Sequence, residues 1–225
     1  LPYIALQLKG IVLGISLLTG TSEQSSGPAV QDTALVTSLL LALFAILFGT
    51  RNLDATEHHR GMVLAIAFES VVKLLAFLAV GIFATWGLYN GFDDLLTQAR
   101  NAPHLEAFWA RSTDWVGLFA QTGIAMAAIL CLPRQFHVSV VENNNPNDLH
   151  LARWAFPLYL ILAGLFVAPI ALAGQLHLPE GILPDSFVIS LPLLENRPML
   201  ALLAFIGGAS AATGMVIVEA VALST

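Results

Sequence analysis

Residues 198–223 read PMLALLAFIGGASAATGMVIVEAVAL, and this stretch decides the class of fold. Glu219 is its only charged residue. A helix needs about 20 mainly apolar residues to cross the hydrocarbon core of a bilayer, which is about 30 Å thick. The stretch therefore predicts a membrane-spanning helix.

The composition of the whole chain agrees with that prediction. Of the 225 residues, 57% are hydrophobic and 11% are charged, and the mean hydropathy is +0.79, whereas soluble domains average about 45–50% apolar and about 25% charged residues. These values exclude a soluble enzyme and a disordered chain. The net charge of −6, without a basic patch, excludes a nucleic-acid partner. The single cysteine, Cys131, excludes a disulfide framework.

Five further stretches approach the length and apolarity of a spanning helix, and none shows the alternation of barrel strands. With residues 198–223, the predicted spans are 2–18, 33–49, 61–89, 115–140 and 151–173. The sequence therefore predicts an all-α polytopic membrane helical bundle of about six spans. Connector 90–112 carries apolar and aromatic residues that predict an interfacial helix, and the run 187–194 predicts a short cap or a second interfacial helix.

Charge bias between the connectors orients these spans. Connectors 50–60 and 134–153 carry arginines and histidines, whereas 20–32, 90–112 and 175–197 are richer in Asp and Glu. Basic loops stay in the cytoplasm. The first predicted span therefore runs outward from the cytoplasm.

Ionisable residues at membrane depth are costly and mark functional or paired structural sites. Four fall within the predicted spans, namely Lys9, Glu69, Lys73 and Glu219. Glu69 and Lys73 are four residues apart and share a helical face. Two interpretations are open for them, a neutralised structural pair or a gate that handles protons. Lys9 is interpreted as a lysine that extends its ammonium group toward the membrane surface.

Polar residues in three spans are candidates for a substrate or ion site. Tyr3 and Gln7 share a face of the first span, and Gln121 lies in the fourth span, where glycine and proline indicate either an ordinary kink or a discontinuous transporter helix. In the last span, small residues four positions apart allow close helix packing. Oxygen atoms of Gly207, Ser210 and Thr213 form a candidate partial site for a hard cation such as sodium.

Two stretches of the chain resemble a known family. GTRNLDATEHH (residues 49–59), continued by AFESVVKL (residues 67–74), and LPYIALQLK (residues 1–9) resemble the sodium:solute symporter family. They look most like its branch fused to sensor histidine kinases, the CbrA type. The resemblance covers essentially the whole chain.

The resemblance implies a LeuT-type inverted repeat of five plus five helices, of which residues 1–225 are a fragment. On this view, the N-terminal helices, including the broken first helix, and any C-terminal kinase region lie outside the sequence. The last span then corresponds to the helix that supplies half of the family's sodium site. Gly207 and Ser210 fall on a carbonyl and a hydroxyl ligand, whereas the neighbouring family hydroxyl falls on Ala211 and the family's aspartate falls on Ser70, beside Glu69. These departures leave sodium or a proton as the coupling ion.

The resemblance also implies a function. It predicts a multi-pass domain of the bacterial inner membrane that transports or senses a small polar solute such as an amino acid, as the input part of a two-component sensor histidine kinase. The segment itself is expected to be neither an enzyme nor a cofactor binder. The parent protein would autophosphorylate a histidine with ATP and signal to a response regulator. The expected partners are the lipid bilayer, the solute and the remaining transporter helices. The alternative is a free-standing ion-coupled symporter without signalling output.

Overall fold

The structure is a computed structural model that describes residues 2–20, 28–48, 60–112, 114–131, 148–179 and 181–224. These residues form helices and turns, without a strand among them, so the predicted all-α class is confirmed. The α-helices are α1 (Pro2–Thr19), α2 (Pro28–Phe48), α3 (Arg60–Ile82), α4 (Phe92–Asn101), α5 (Glu106–Trp109), α6 (Trp115–Cys131), α7 (Asp148–Leu165), α8 (Val167–His177), α9 (Phe187–Leu194) and α10 (Pro198–Ser224). A π-helix (Phe83–Gly87) continues α3, and 3₁₀ turns at Pro103–Leu105 and Pro184–Ser186 precede α5 and α9.

Three helical stretches are long and apolar enough to cross a membrane. They are Leu64–Gly87, His150–His177 and Pro198–Glu219, which correspond to the third, fifth and sixth predicted spans. The described apolar parts of α1, α2 and α6 are shorter. The count of about six spans and the inverted repeat therefore stay predictions.

Helix α10 lies at the centre of the bundle and packs most extensively against α3 and α1. A Cβ atom added at Gly207 would lie 2.7 Å from the Cβ of Ala76, and one at Gly214 would collide with the Glu69 carboxylate. Gly207 thus faces Ala76, whereas Gly214, further along α10, faces Glu69, which comes earlier on α3. The two helices are therefore antiparallel. The predicted close approach at small residues of the last span is confirmed.

The predicted fifth span is bent rather than continuous, since α7 ends at Leu165 and α8 begins at Val167. Pro169 explains the break, because its ring would clash with the carbonyl of Leu165 in a regular helix. The intervening Phe166 is 6% exposed. Its ring lies against Gly81 of α3, where an added Cβ would collide with it. The bend therefore inserts an aromatic ring into the core.

The two connectors 88–112 and 178–197 lie at the same end of the bundle, which we call the acidic end. Nε2 of His104 in the first connector donates a hydrogen bond to the carbonyl of Gln175 in the last turn of α8, shortly before the second connector (3.1 Å). The predicted helix in 90–112 is confirmed, but it is divided into α4 and α5 at Pro103. Leu95 and Leu105 are buried against the bundle, whereas Phe108 is 57% exposed. One side of this connector thus packs against the bundle, and the other side leaves the Phe108 ring exposed.

Candidate functional site

A cavity of about 280 Å³ lies between α1, α3 and α10 and is bounded by the start of α9. Most of its lining is apolar, from residues such as Ile11, Phe77 and Val188. Three polar side chains line it as well, namely Gln7, Lys73 and Asp185. It therefore combines an apolar wall with a few convergent polar groups, which is the usual composition of a small-molecule site.

Small residues of α10 create the space of this cavity. Gly208, Ala209 and Ala212 line it together with Gly207, and an added Cβ at Gly208 would meet no atom within 4 Å. Larger side chains on this helical face would fill the space. The spacing of these small residues predicts packing positions, and in the structure they allow close packing on one side and leave a cavity on the other.

Lys73 enters the cavity from the middle of α3, where it is partly buried. Glu69 lies one turn earlier on the same helix, with its carboxylate against Gly214. Tyr159 of α7 reaches the same part of α3, because its hydroxyl donates a hydrogen bond to the carbonyl of Ser70 (3.4 Å). The two charged residues predicted as a pair thus lie at the interface of α3 with α10.

Asp185 is the site residue that sequence analysis missed, because there it counted only toward the charge of a connector. It is exposed and stands in the 3₁₀ turn before α9. The Ser186 hydroxyl donates to the carbonyl of Leu183 (2.7 Å) and stabilises that turn. The available signal was the Pro-Asp-Ser sequence before an apolar run, which is typical of a helix start. This signal predicts that Asp185 lies at the start of a helix, but it does not predict that the helix, α9, packs against α1.

The hydroxyl groups of the predicted sodium site bond to their own helix. The Ser210 hydroxyl donates to the carbonyl of Gly207 (3.2 Å), and the Thr213 hydroxyl donates to the carbonyl of Ala209 (2.8 Å). Gly207 lines the cavity, whereas Ser210 and Thr213 are not among its described lining residues. The carbonyl oxygen of Gly207 and the hydroxyl oxygen of Ser210 therefore lie close enough to contact one ion. Whether they bind a cation stays a prediction.

The remaining predicted site residues lie elsewhere. Gln121 is exposed on α6, a helix without an extensive interface with another described element. Tyr3 belongs to α1, but its side chain lies outside the described residues, as do connector 49–59 and residues 132–140. The structure therefore joins Gln7, Lys73 and Gly207 in one site, with Glu69 beside it, and does not bring Gln121 to them.

A second polar cluster links three segments of the chain at the acidic end. The Tyr89 hydroxyl lies 3.0 Å from Nδ1 of His177, and Nε2 of His177 lies 3.6 Å from Oε1 of Glu195. Burial raises the pKa of Tyr89, and the negative charge of Asp94 raises it further. The backbone N–H of Asn90 and the side-chain amide of Gln98 donate to Asp94 and hold its pKa below the ordinary value. Tyr89 follows the π-helix, His177 ends α8 and Glu195 follows α9, so this cluster joins the ends of three elements.

Within the described ranges, no group of three His, Cys, Asp or Glu side chains is arranged to hold a metal ion. Comparison of this chain with family models, with curated proteins and with solved structures finds no match. The site is therefore interpreted from its own residues.

Proposed function

We propose that this chain belongs to the membrane domain of a solute transporter or sensor of the sodium:solute symporter type. The domain would act in the bacterial inner membrane as the input part of a sensor histidine kinase. The observation that supports this proposal is the cavity of about 280 Å³ that Gln7, Lys73 and Asp185 line between apolar helices. The two basic connectors would face the cytoplasm, and the acidic end would face outward.

The chemistry of the lining supports a small polar solute. Lys73 offers a cation, Asp185 an anion and Gln7 an amide that both donates and accepts hydrogen bonds. A bound zwitterion such as an amino acid would place its carboxylate toward Lys73 and its ammonium group toward Asp185, with charge-assisted hydrogen bonds at both. The volume lies at the lower limit of ligand pockets, which is about 300 Å³. Large solutes are therefore disfavoured.

The position of Lys73 in the chain raises the free energy of membrane insertion. Lys73 lies near the middle of the candidate span Leu64–Gly87, and a lysine at the centre of a spanning helix costs about 2.5–3.5 kcal/mol of insertion free energy. Such residues face cavities or partners and lie on the pathways of substrates and ions. Solute recognition would give this lysine a function in addition to its predicted pairing with Glu69.

Uptake and binding of labelled amino acids by the intact protein test the proposal. We expect Lys73→Gln to weaken binding of the transported amino acid at least tenfold, because one of the two charge-assisted contacts is lost. Lys9→Gln is the matched control, since Lys9 is an exposed lysine of α1 that does not line the cavity. Equal effects of the two substitutions, or the absence of any amino acid that binds, would contradict the proposal.

Signalling is a separate part of the proposal and depends on the family resemblance. If the intact protein carries a kinase, a bound amino acid should change its rate of histidine autophosphorylation, and Lys73→Gln should reduce that response. Uptake without any phosphorylated histidine would instead support the free-standing symporter.

A further inference from the structure

A groove at the acidic end lies away from the solute cavity and carries a different chemistry. It has a volume of about 350 Å³ and lies between the α5 region and the last turns of α8. Leu105, Phe108, Ala171 and Leu172 form its apolar wall, and Arg111 and Gln175 supply the polar groups. The groove therefore offers an apolar surface with a cation at one position.

The two walls of the groove are fastened to each other and to α4. His104 bonds the carbonyl of Gln175, which ties the 3₁₀ turn before α5 to α8. The Trp109 indole donates a hydrogen bond to the carbonyl of Ala99 (2.9 Å), and the Arg100 guanidinium lies 6.0 Å from the centre of the Trp109 ring. The groove is thus a formed feature of the fold rather than a gap between independent segments.

The guanidinium group of Arg111 can donate hydrogen bonds to an occupant of this groove. Arg111 follows α5 after one residue, Ala110, and its backbone N–H donates a hydrogen bond to the carbonyl of Phe108 (3.4 Å). Within the described part of the chain, no carboxylate lies within ion-pair distance of its guanidinium group. A guanidinium carries five N–H donors in a planar fork that fits the oxygens of a phosphate.

The depth of the groove matches the headgroup region of a bilayer. Ala171, Leu172 and Gln175 belong to the last turns of the candidate span His150–His177. Trp109 is 38% exposed and Trp115 is 64% exposed, and exposed tryptophans at the ends of spans are typical of the membrane interface. An occupant of this groove would therefore have its polar group at headgroup level and its apolar part toward the hydrocarbon.

We propose that this groove binds one anionic glycerophospholipid, with its phosphodiester on Arg111 and the start of an acyl chain along Phe108 and Leu172. A zwitterionic lipid carries the same phosphodiester, but its cationic headgroup cancels the negative charge. A single arginine at the membrane surface is therefore expected to favour the anionic lipid by about fivefold in affinity, from about 1 kcal/mol per basic residue. The apolar wall favours a lipid over free phosphate, because phosphate would leave Phe108 and Leu172 uncovered. The proposal adds a lipid site to the proposed function and needs only the membrane location from it.

Native mass spectrometry of the intact, delipidated protein with added phosphatidylglycerol tests the site. We expect wild type to bind one phosphatidylglycerol molecule about fivefold more tightly than phosphatidylcholine, and Arg111→Gln to remove that preference. Arg100→Gln is the matched control and should retain it, because Arg100 lies over Trp109 instead of lining the groove. Leu172→Trp should weaken both lipids, because the larger side chain fills the groove.

Three results would overturn the site. One is unchanged binding of phosphatidylglycerol in Arg111→Gln, and a second is an equal loss in Arg100→Gln, which would indicate unspecific attraction. The third is displacement of the lipid by millimolar inorganic phosphate, which would indicate an anion site alone. Extraction of membranes with alkaline carbonate tests the membrane location separately, and Lys73→Gln tests solute recognition. A failed lipid site is thus distinguishable from a failed function.

Discussion

Gly207 and Gly208 are neighbours on α10, but a methyl group added at each would meet different surroundings. At Gly207 the new Cβ would lie 2.7 Å from the Cβ of Ala76, which cannot move without its helix, whereas at Gly208 it would meet no atom within 4 Å. We expect Gly207→Ala to destabilise the protein by about 1–3 kcal/mol through overpacking. Gly208→Ala should be neutral or stabilise by up to about 1 kcal/mol, since alanine favours the helix.

Thermal unfolding of the two variants in detergent measures this difference. A lower midpoint for Gly207→Ala together with an unchanged or higher midpoint for Gly208→Ala is the expected result. Equal midpoints would mean that α3 and α10 are not in direct contact at Ala76.

Tyr89 gives a pH dependence whose sign follows from its surroundings. Its pKa is raised by burial and by Asp94, so the folded state holds the phenolic proton more tightly than the unfolded state, whose tyrosine titrates near pH 10. The stabilisation is complete below about pH 10 and is lost as the pH rises toward the folded pKa. Tyr89→Phe should flatten this alkaline loss and cost about 1 kcal/mol at neutral pH, because the bond to His177 is removed.

Unfolding midpoints of wild type and Tyr89→Phe between pH 8 and pH 11 check this. Tyr159→Phe provides a comparison with a hydroxyl bonded to a backbone carbonyl elsewhere in the bundle. Identical alkaline profiles for wild type and Tyr89→Phe would show that Tyr89 does not set the dependence.

At the scale of the elements, α3 carries both Glu69 and Lys73 to its interface with α10. We expect Glu69→Ala to harm the protein more than Glu69→Ala combined with Lys73→Ala, because a charge left without its partner costs more than a removed pair. A double-mutant cycle on unfolding midpoint and folding yield should give a coupling of at least about 0.5 kcal/mol. Additive effects would show that the two residues act independently.

The elements also show what the sequence can predict. The long apolar helices of α3, α7–α8 and α10 were predicted correctly, because such a helix is visible from length and hydropathy alone. The bend at Phe166 was missed, although Pro169 lies four residues after the carbonyl that it would strike. Gln7, Lys73 and Gly207 could be named from the cost of polar groups at membrane depth and from small-residue spacing. Asp185 could not, because its place in the cavity lining depends on the packing of α9 against α1, which lies far away in the chain.

At the scale of the whole molecule, we predict which ion gradient drives uptake. If the proposed resemblance to the symporter family holds, Ala211 and Ser70 would stand where that family has ligands of the sodium path, whereas Glu69 offers a carboxylate one turn from Lys73. We therefore expect uptake by the intact protein to depend weakly or not at all on sodium and to respond to an imposed proton gradient. Uptake into vesicles with each gradient applied separately measures this. Uptake that needs millimolar sodium and ignores the pH gradient would contradict the prediction.

The central claim is that α1, α3 and α10 enclose a water-accessible cavity that binds the solute. Thiol labelling of the intact protein tests it most directly in a background without native cysteines, in which Cys131, the single cysteine of residues 1–225, is replaced by serine. Ala209 lines the cavity, and its neighbour Ser210 does not. A membrane-impermeant cationic thiosulfonate should modify Ala209→Cys, transported solute should protect it, and Ser210→Cys should stay unmodified. Equal labelling of the two cysteines, or labelling of Ala209→Cys that solute leaves unchanged, would contradict the claim.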